Sequence, residues 1–309
     1  MKIDLIGVPV NYGCDRYGAQ FGPSILRKNN IIEIIKNEGH KVVDKGDILI
    51  PIVPAEEKYA AHTKLKYLTP IVDYNNKLAF EVNNSLDDDG FPFIIGGDHS
   101  LGMGSIAGAD SYFNEIAVIW VDAHGDINTE DTSPSGNIHG MPLAVSMNFG
   151  HSSLTDIYYN GQKVKPENVY IIGARSLDSG EIKLAQDENI NLYTMEDVRK
   201  SGLNNIIETV INNINNSKVE GVHLSFDIDV LDEKFVPGTG TPVENGFSME
   251  DGKELLSKLI GAGFVTSMDF VELNPALDEN NITLKNCTEL LKHIFSALKV
   301  QEKLKISIS

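Results

Sequence analysis

The chain of 309 residues is 41% hydrophobic and 23% charged, the balance of a soluble globular protein with room for one large α/β domain or two ordinary ones. Its formal net charge of −18 argues against nucleic acid and anionic membranes as partners, since both need basic patches, and is compatible with a cationic small substrate. No apolar run approaches membrane-spanning length, and two distant cysteines, Cys14 and Cys287, exclude a disulfide framework and fit a reducing cytoplasm.

In chain order, residues 3–8 read as a first strand rather than a secretion signal, followed by a glycine-rich loop over 11–22. Pro23 opens a helical pattern that Gly39 stops. Residues 42–48 read as a strand and 50–66 as irregular. Thr69-Pro70 reads as an N-cap with proline in the first turn of a helix reaching about residue 88. A buried strand, 91–95, runs into Gly96-Gly97-Asp98-His99-Ser100, followed by glycine-rich, helical residues. The apolar run 116–121 ends abruptly in Asp122, His124 and Asp126. A polar loop reaches Gly136, and 139–148 has a helical pattern. Strands follow at 169–173, ending near Asp178 and Glu181; at 222–226, ending in Asp227-Ile228-Asp229; and at 265–271, ending in Glu272. Helical patterns cover 180–189, 195–200, 203–215, 249–262 and 284–298. Residues 305–309 carry no evident oligomerisation tail.

Continuous strand–helix alternation without a linker predicts one α/β domain over 1–309, with a mainly parallel sheet and helices on both faces. Functional residues in such sheets gather at the carboxyl ends of the strands, where the polar clusters of this chain lie. Taken alone, residues 96–100 read equally as a tight turn capped by Asp98 and Ser100 or as a ligand-bearing loop. Asp227 and Asp229 alone read as a solvated strand end. Asp122, His124 and Asp126 are harder to dismiss, because strand alternation projects side chains two apart to one face. Together the three strand ends supply two histidines and four carboxylates besides Asp98. Burying that much negative charge is prohibitive unless cations neutralise it, and one divalent ion leaves carboxylates uncompensated where two do not. A carboxylate-rich, imidazole-poor set favours Mn²⁺ over Zn²⁺. Two close metals bridging one water give hydroxide near neutral pH, which is hydrolytic machinery.

The segments 96–100, Asp122-Ala123-His124-Gly125-Asp126 and Ser225-Phe226-Asp227-Ile228-Asp229 resemble the three metal-binding motifs of the ureohydrolases, the family of arginase, agmatinase and their relatives. The resemblance runs from Gly7-Val8-Pro9 to Glu272-Leu273-Asn274-Pro275, most of the chain. It implies a three-layer α/β/α fold, shared with the deacetylases, and two Mn²⁺ per subunit. One ion would take His99, Asp122, Asp126 and Asp227, and the other His124, Asp122, Asp227 and Asp229. Asp122 and Asp227 would bridge, and Asp126 would also hydrogen-bond the metal-bridging hydroxide.

The loop Asn128, Ser135, Asn137 and His139 resembles the arginase version, whose neutral donors suit the α-carboxylate that agmatine lacks. Asp178 and Glu181 match acids that receive the α-ammonium. His139 matches a proton-transfer histidine, Glu272 the carboxylate that pairs with the guanidinium, and Thr241 a group that positions the intermediate. The implied reaction is hydrolysis of L-arginine to L-ornithine and urea by a cytoplasmic homo-oligomer, a trimer or hexamer. Agmatinase or another guanidine hydrolase is the alternative. The deacetylase branch is disfavoured because its single-Zn²⁺ His-His pair and Tyr are not found, and a non-catalytic metal-binding reading because every metal position is filled. Three departures stand out. Ser176 replaces a common acid, Asp232-Glu233 replaces Asp-Pro, and Glu250-Asp251 replaces an Arg-Glu pair used between subunits.

Overall fold

The computed structural model describes residues 1–308, with side chains to Lys303, so the reading of residues 305–309 falls outside the described side chains. β1 (Lys2–Val8) leads to α1 (Gly22–Lys28), α2 (Ile31–Asn37) and β2 (Lys41–Asp47). α3 (Leu68–Asp87) precedes β3 (Phe91–Gly96), and α4 (Gly102–Tyr112) precedes β4 (Ile116–Val121). Two short helices, α5 (Pro142–Ser146) and α6 (Ser152–Thr155), lie before β5 (Val169–Ala174). α7 (Ser179–Asp187), β6 (Asn191–Thr194), α8 (Met195–Ser201) and α9 (Leu203–Asn216) lead to β7 (Gly221–Asp227). α10 (Met249–Gly261), β8 (Val265–Val271) and α11 (Ile282–Ile308) follow.

The strands form one sheet in the order β2-β1-β3-β8-β7-β4-β5-β6, parallel at every pairing. Side chains alternate between its faces because the strand repeat is two residues. Ala117, Ile119 and Val121 of β4 enter one core with α2, α9, α10 and α11, while Ile116, Val118 and Trp120 enter the other with α3, α4 and α5. Three layers result, with helices on both faces of the parallel sheet, as the resemblance implies. Among the described residues no helix is long and apolar enough to cross a membrane.

Some local expectations fail for identifiable reasons. The helix expected from Pro23 to Gly39 is two, because Asn30 takes the left-handed conformation at φ 66° and breaks the hydrogen-bond ladder. Thr69 is not an N-cap. Left-handed Tyr67 stands there without a side-chain cap bond, and Thr69 and Pro70 lie inside the first turn. Residues 139–148 form a 3-10 turn at Ile138–Gly140 and the short α5 rather than one helix. β6 and α6 have no clear signature in sequence. β6 is a four-residue edge strand of half-buried residues that, among the described residues, pairs only with β5.

Candidate active site

The sheet order decides which strand ends meet. β3, β8, β7 and β4 are consecutive, so residues following all four converge at their carboxyl ends. His99 follows β3, Asp122 follows β4, Asp227 ends β7 and Glu272 follows β8. The convergence of Asp122, His124 and Asp126 is not strand alternation, however. β4 stops at Val121, and the chain turns instead, with Asp126 in the left-handed region at φ 52°. Glu272 has φ 69°. Such conformations cost on the order of 1–3 kcal/mol for a non-glycine residue and persist where the surroundings over-determine them.

Two ligand groups result. His99, Asp122 and Asp227 form one, and Asp122, His124 and Asp229 the other; in each, the donor atoms lie within 4.8 Å of one another. His99 Nδ1 faces Asp122 Oδ2 at 3.0 Å, Asp227 Oδ2 at 3.2 Å and Asp126 Oδ2 at 3.4 Å. One ring nitrogen can donate to one of three carboxylates, so the surplus acceptors mark a cation position. His124 Nδ1 lies 3.3 Å from Asp122 Oδ1 and 3.2 Å from Asp229 Oδ2. Asp122 is shared by both groups, and Asp126 belongs to neither although it faces His99. Asp122, Asp126, Asp227 and Asp229 carry four negative charges, which two divalent ions balance against neutral imidazoles. The donor set fits a two-metal centre.

The surrounding side chains orient these donors. His99 Nε2 meets Ser225 Oγ at 2.8 Å, so Nδ1 is left for the carboxylate side. The Trp120 ring stacks on His99 at 3.8 Å between centroids, and its Nε1 donates to Asp122 Oδ2 at 3.0 Å. That indole needs Gly102, where a Cβ would come 2.7 Å from the Trp120 ring. Asp98, in contrast, is a turn residue. It accepts from Gly13 N and Ser100 N at 2.8 and 3.1 Å, so the capping reading applies to Asp98 and the ligand reading to His99.

A cavity of about 340 Å³ opens over the metal groups, lined among others by Asp126, Asn128, Ser135, Asn137, His139, Ser176, Asp178, Glu181 and Thr241. Larger surface grooves beside β2 and near the N-terminus lie away from both ligand groups. Asn128 donates to Asp178 Oδ2 at 2.9 Å. Glu181 caps α7 together with Asp178, accepting from Asp178 N at 2.8 Å and Ile127 N at 3.3 Å. Thr241 donates to Asp229 Oδ2 at 3.1 Å. Glu272 Oε1 accepts from His99 N at 2.9 Å and meets His139 Nδ1 at 3.3 Å, while its buried Oε2 has no partner. All the site residues read from the sequence therefore lie in or beside one cavity. Trp120 and Arg175 were missed. Arg175 donates to the carbonyls of Asp229, Leu231 and Val243 at 2.8, 3.1 and 2.9 Å, pinning the ligand loop to the loop that carries Thr241. An arginine beside a strand end carries no sequence signal that it will bond backbone.

Electrostatics give a test of the cluster. Burial, then Asp122, pushes Asp126 well above the usual carboxylate range; burial, Asp229 and Asp122 do the same to Asp227. Against burial, Asp229 and Asp122 hold His124 well above the usual imidazole range, and Asp122 holds His99 above it. Asp122 is the exception: against burial, hydrogen bonds from His124 and His99 hold it low. Groups held above their unfolded values stabilise the fold at low pH and lose that contribution as pH rises through the folded values. Asp122 contributes above its unfolded value and loses that contribution only in strong acid. The Tm of the chelated protein is therefore expected to fall as pH rises from about 5 to about 8. Two divalent ions are expected to suppress the fall. Differential scanning fluorimetry decides it, and a chelated protein whose Tm climbs over that interval contradicts the assignment.

Comparison with known proteins shows the family and the fold. The sequence model of the Arginase family matches residues 1–296. An arginase of Bacillus subtilis (strain 168) is 44% identical over 292 residues, covering 94% of this chain and 97% of its own. The crystal structure of an arginase from Bacillus cereus superposes with a TM-score of 0.89 at 42% identity, covering 96% of this chain and 98% of that one. An Entamoeba histolytica arginase in complex with L-ornithine gives 0.87 at 36% identity, covering 95% and 98%.

Proposed function

The chain belongs to the arginase family, and on that premise we propose that it hydrolyses L-arginine to L-ornithine and urea with Mn²⁺ as its resident metal. The observation that carries the proposal is the pair of His–carboxylate groups sharing Asp122 beneath a cavity lined by polar donors and by acids. The oxygen-rich donor set supports Mn²⁺ over Zn²⁺. His99, Asp122, Asp126 and Asp227 would hold one ion, and His124, Asp122, Asp227 and Asp229 the other; two His–carboxylate groups that share Asp122 support this set. Bound there, the ions supply a water acidified for attack near neutral pH.

The chain's own residues do the rest. Asp126, facing the cavity, accepts a hydrogen bond from the attacking water and orients it toward the guanidinium carbon. Glu272 offers its unpartnered Oε2 to the guanidinium N–H groups. His139 lines the cavity and relays to the departing nitrogen a proton given up by the attacking water; the water's C–O bond forms, the guanidinium C–N bond breaks, ornithine leaves as an amine and urea remains. Thr241 holds Asp229 in place and positions the intermediate. Asn128, Ser135 and Asn137 take the α-carboxylate, while Asp178, with Glu181 behind it, takes the α-ammonium.

One sheet threading the chain from β1 to β8 supports a single domain over 1–309. Two buried free cysteines, Cys14 and Cys287, support a cytoplasmic setting. Without an Arg-Glu pair at 250–251, the homo-oligomer we propose is a trimer or hexamer held by other contacts, or a lower oligomer. Here Asp251 closes a capping box with Ser248, and Glu250 pairs with Lys253 at 2.9 Å.

The test is urea release by the Mn²⁺-loaded enzyme from L-arginine, agmatine and guanidino acids in parallel. Arginine is expected to exceed agmatine by about 10²-fold or more in kcat/KM, because agmatine leaves the carboxylate donors unpaired. Turnover of agmatine without arginine overturns the assignment.

A further inference from the structure

We propose that Lys66 selects for substrates that carry an α-carboxylate, a role that rests on the arginine reading above. The residues just before α3 dock on the loop that carries Ser135 and Asn137. Lys66 N donates to Gly136 O at 3.2 Å. Gly136 has φ +70°, and a Cβ there would come 2.1 Å from Lys64 O, so only glycine lets the two segments close. From this position Lys66 Nζ donates to Asn137 Oδ1 at 2.7 Å and pairs with Asp15 Oδ2 at 3.1 Å. Lys58 meets the same Asp15 oxygen at 3.0 Å. Two ammonium groups share one carboxylate, which leaves a surplus of one positive charge at this rim of a chain with net charge −18. The Lys66 side chain is 14% exposed, so that charge is less screened than a surface lysine's.

Two consequences follow for the cavity. Lys66 sets the orientation of the Asn137 amide. Its carbonyl oxygen is taken by the ammonium, and Nδ2 donates to Cys14 O at 3.0 Å. A flipped amide would put NH₂ against NH₃⁺. An amide nitrogen has two hydrogens, so one N–H remains beside the lysine charge for an incoming acceptor. The cavity is also polarised. Lys66 puts positive charge behind Asn137, and Asp178 and Glu181 line the same cavity. An α-amino acid head group matches that field in one orientation, carboxylate toward Asn137 and ammonium toward Asp178. An amine-only substrate leaves the positive rim without a counter-charge.

A purely mechanical role, with Lys66 clamping the loop, predicts losses that ignore substrate charge, so the substrate series separates the two. Lys66→Met and Lys66→Arg are made in the full-length, metal-loaded enzyme and assayed on L-arginine, L-argininamide and agmatine. Lys66→Met is expected to raise KM for L-arginine about tenfold, with kcat within about twofold. The two substrates without a carboxylate should keep their kcat/KM, and Lys66→Arg should restore the arginine KM. Equal losses on arginine and argininamide, or none on arginine, overturn the proposal. If the wild type releases urea from none of the three, the arginine reading itself has failed. Calorimetric binding of L-ornithine against putrescine then decides Lys66. Weakening of ornithine alone in Lys66→Met supports it, and equal weakening or none sinks it.

Discussion

Asp122→Asn is expected to lower urea release by on the order of 10³-fold or more and to leave the purified chain short of its metal complement. The position tolerates the shape of asparagine, since the two side chains have nearly the same volume. It does not tolerate the chemistry. Asp122 belongs to both ligand groups, with Oδ2 3.0 Å from His99 and Oδ1 3.3 Å from His124. Both oxygens already accept, one from Trp120 Nε1 and one from His124 N. An amide replaces one acceptor by a donor and removes one of the four charges that balance two divalent ions. One metal position must lose a ligand whichever way the amide turns. Elemental analysis read beside the urea assay distinguishes metal loss from misfolding, with far-UV circular dichroism as the control. A variant that keeps both ions and near-wild-type turnover would falsify the shared-carboxylate assignment.

Glu272→Gln is expected to lower kcat/KM for arginine by about 10²- to 10³-fold while the metal content stays full. Glutamine keeps an oxygen for His99 N, which Glu272 Oε1 accepts at 2.9 Å, so the β3–β8 junction survives. The variant loses the charge on the unpartnered Oε2, the one feature of Glu272 that the fold does not use. A buried carboxylate oxygen without a hydrogen bond costs stability unless a ligand takes it up, and the guanidinium is the cation available in this reaction. Metal analysis and steady-state kinetics on one preparation separate the alternatives. Unchanged kcat/KM assigns Glu272 to structure alone, and metal loss shows that it supports His99 rather than the substrate.

The residue types of the centre and their places at strand ends were legible in the sequence, because each is a local signal. An apolar run that stops at a cluster of aspartate and histidine declares a strand end and a ligand set together, as at Val121-Asp122 and Phe226-Asp227. Strand–helix alternation likewise declared an α/β fold with a mainly parallel sheet. The order of the strands was not legible, since pairing is non-local. Only the folded sheet sets β3, β8, β7 and β4 side by side and so brings His99, Glu272, Asp227 and Asp122 to one point.

Backbone conformations above φ 0° were also decided by tertiary structure. Asp126, Glu272, Asn30 and Tyr67 adopt them. Asn and Asp enter that region at less cost than Tyr or Glu, so at Tyr67 and Glu272 above all the packing supplies the energy that holds it. For the same reason the turn after β4, not the strand period, arranges Asp122, His124 and Asp126. Lys66 lies 71 residues from Asn137, inside a stretch whose sequence reads only as irregular. Its contact with the loop that carries Asn137 depends on two loops closing over Gly136. What this sequence determined by itself was which side chains are candidates for the chemistry. What the tertiary structure decided was which of them meet, because encounters between distant residues follow from the sheet's order and the packing of loops rather than from any local pattern.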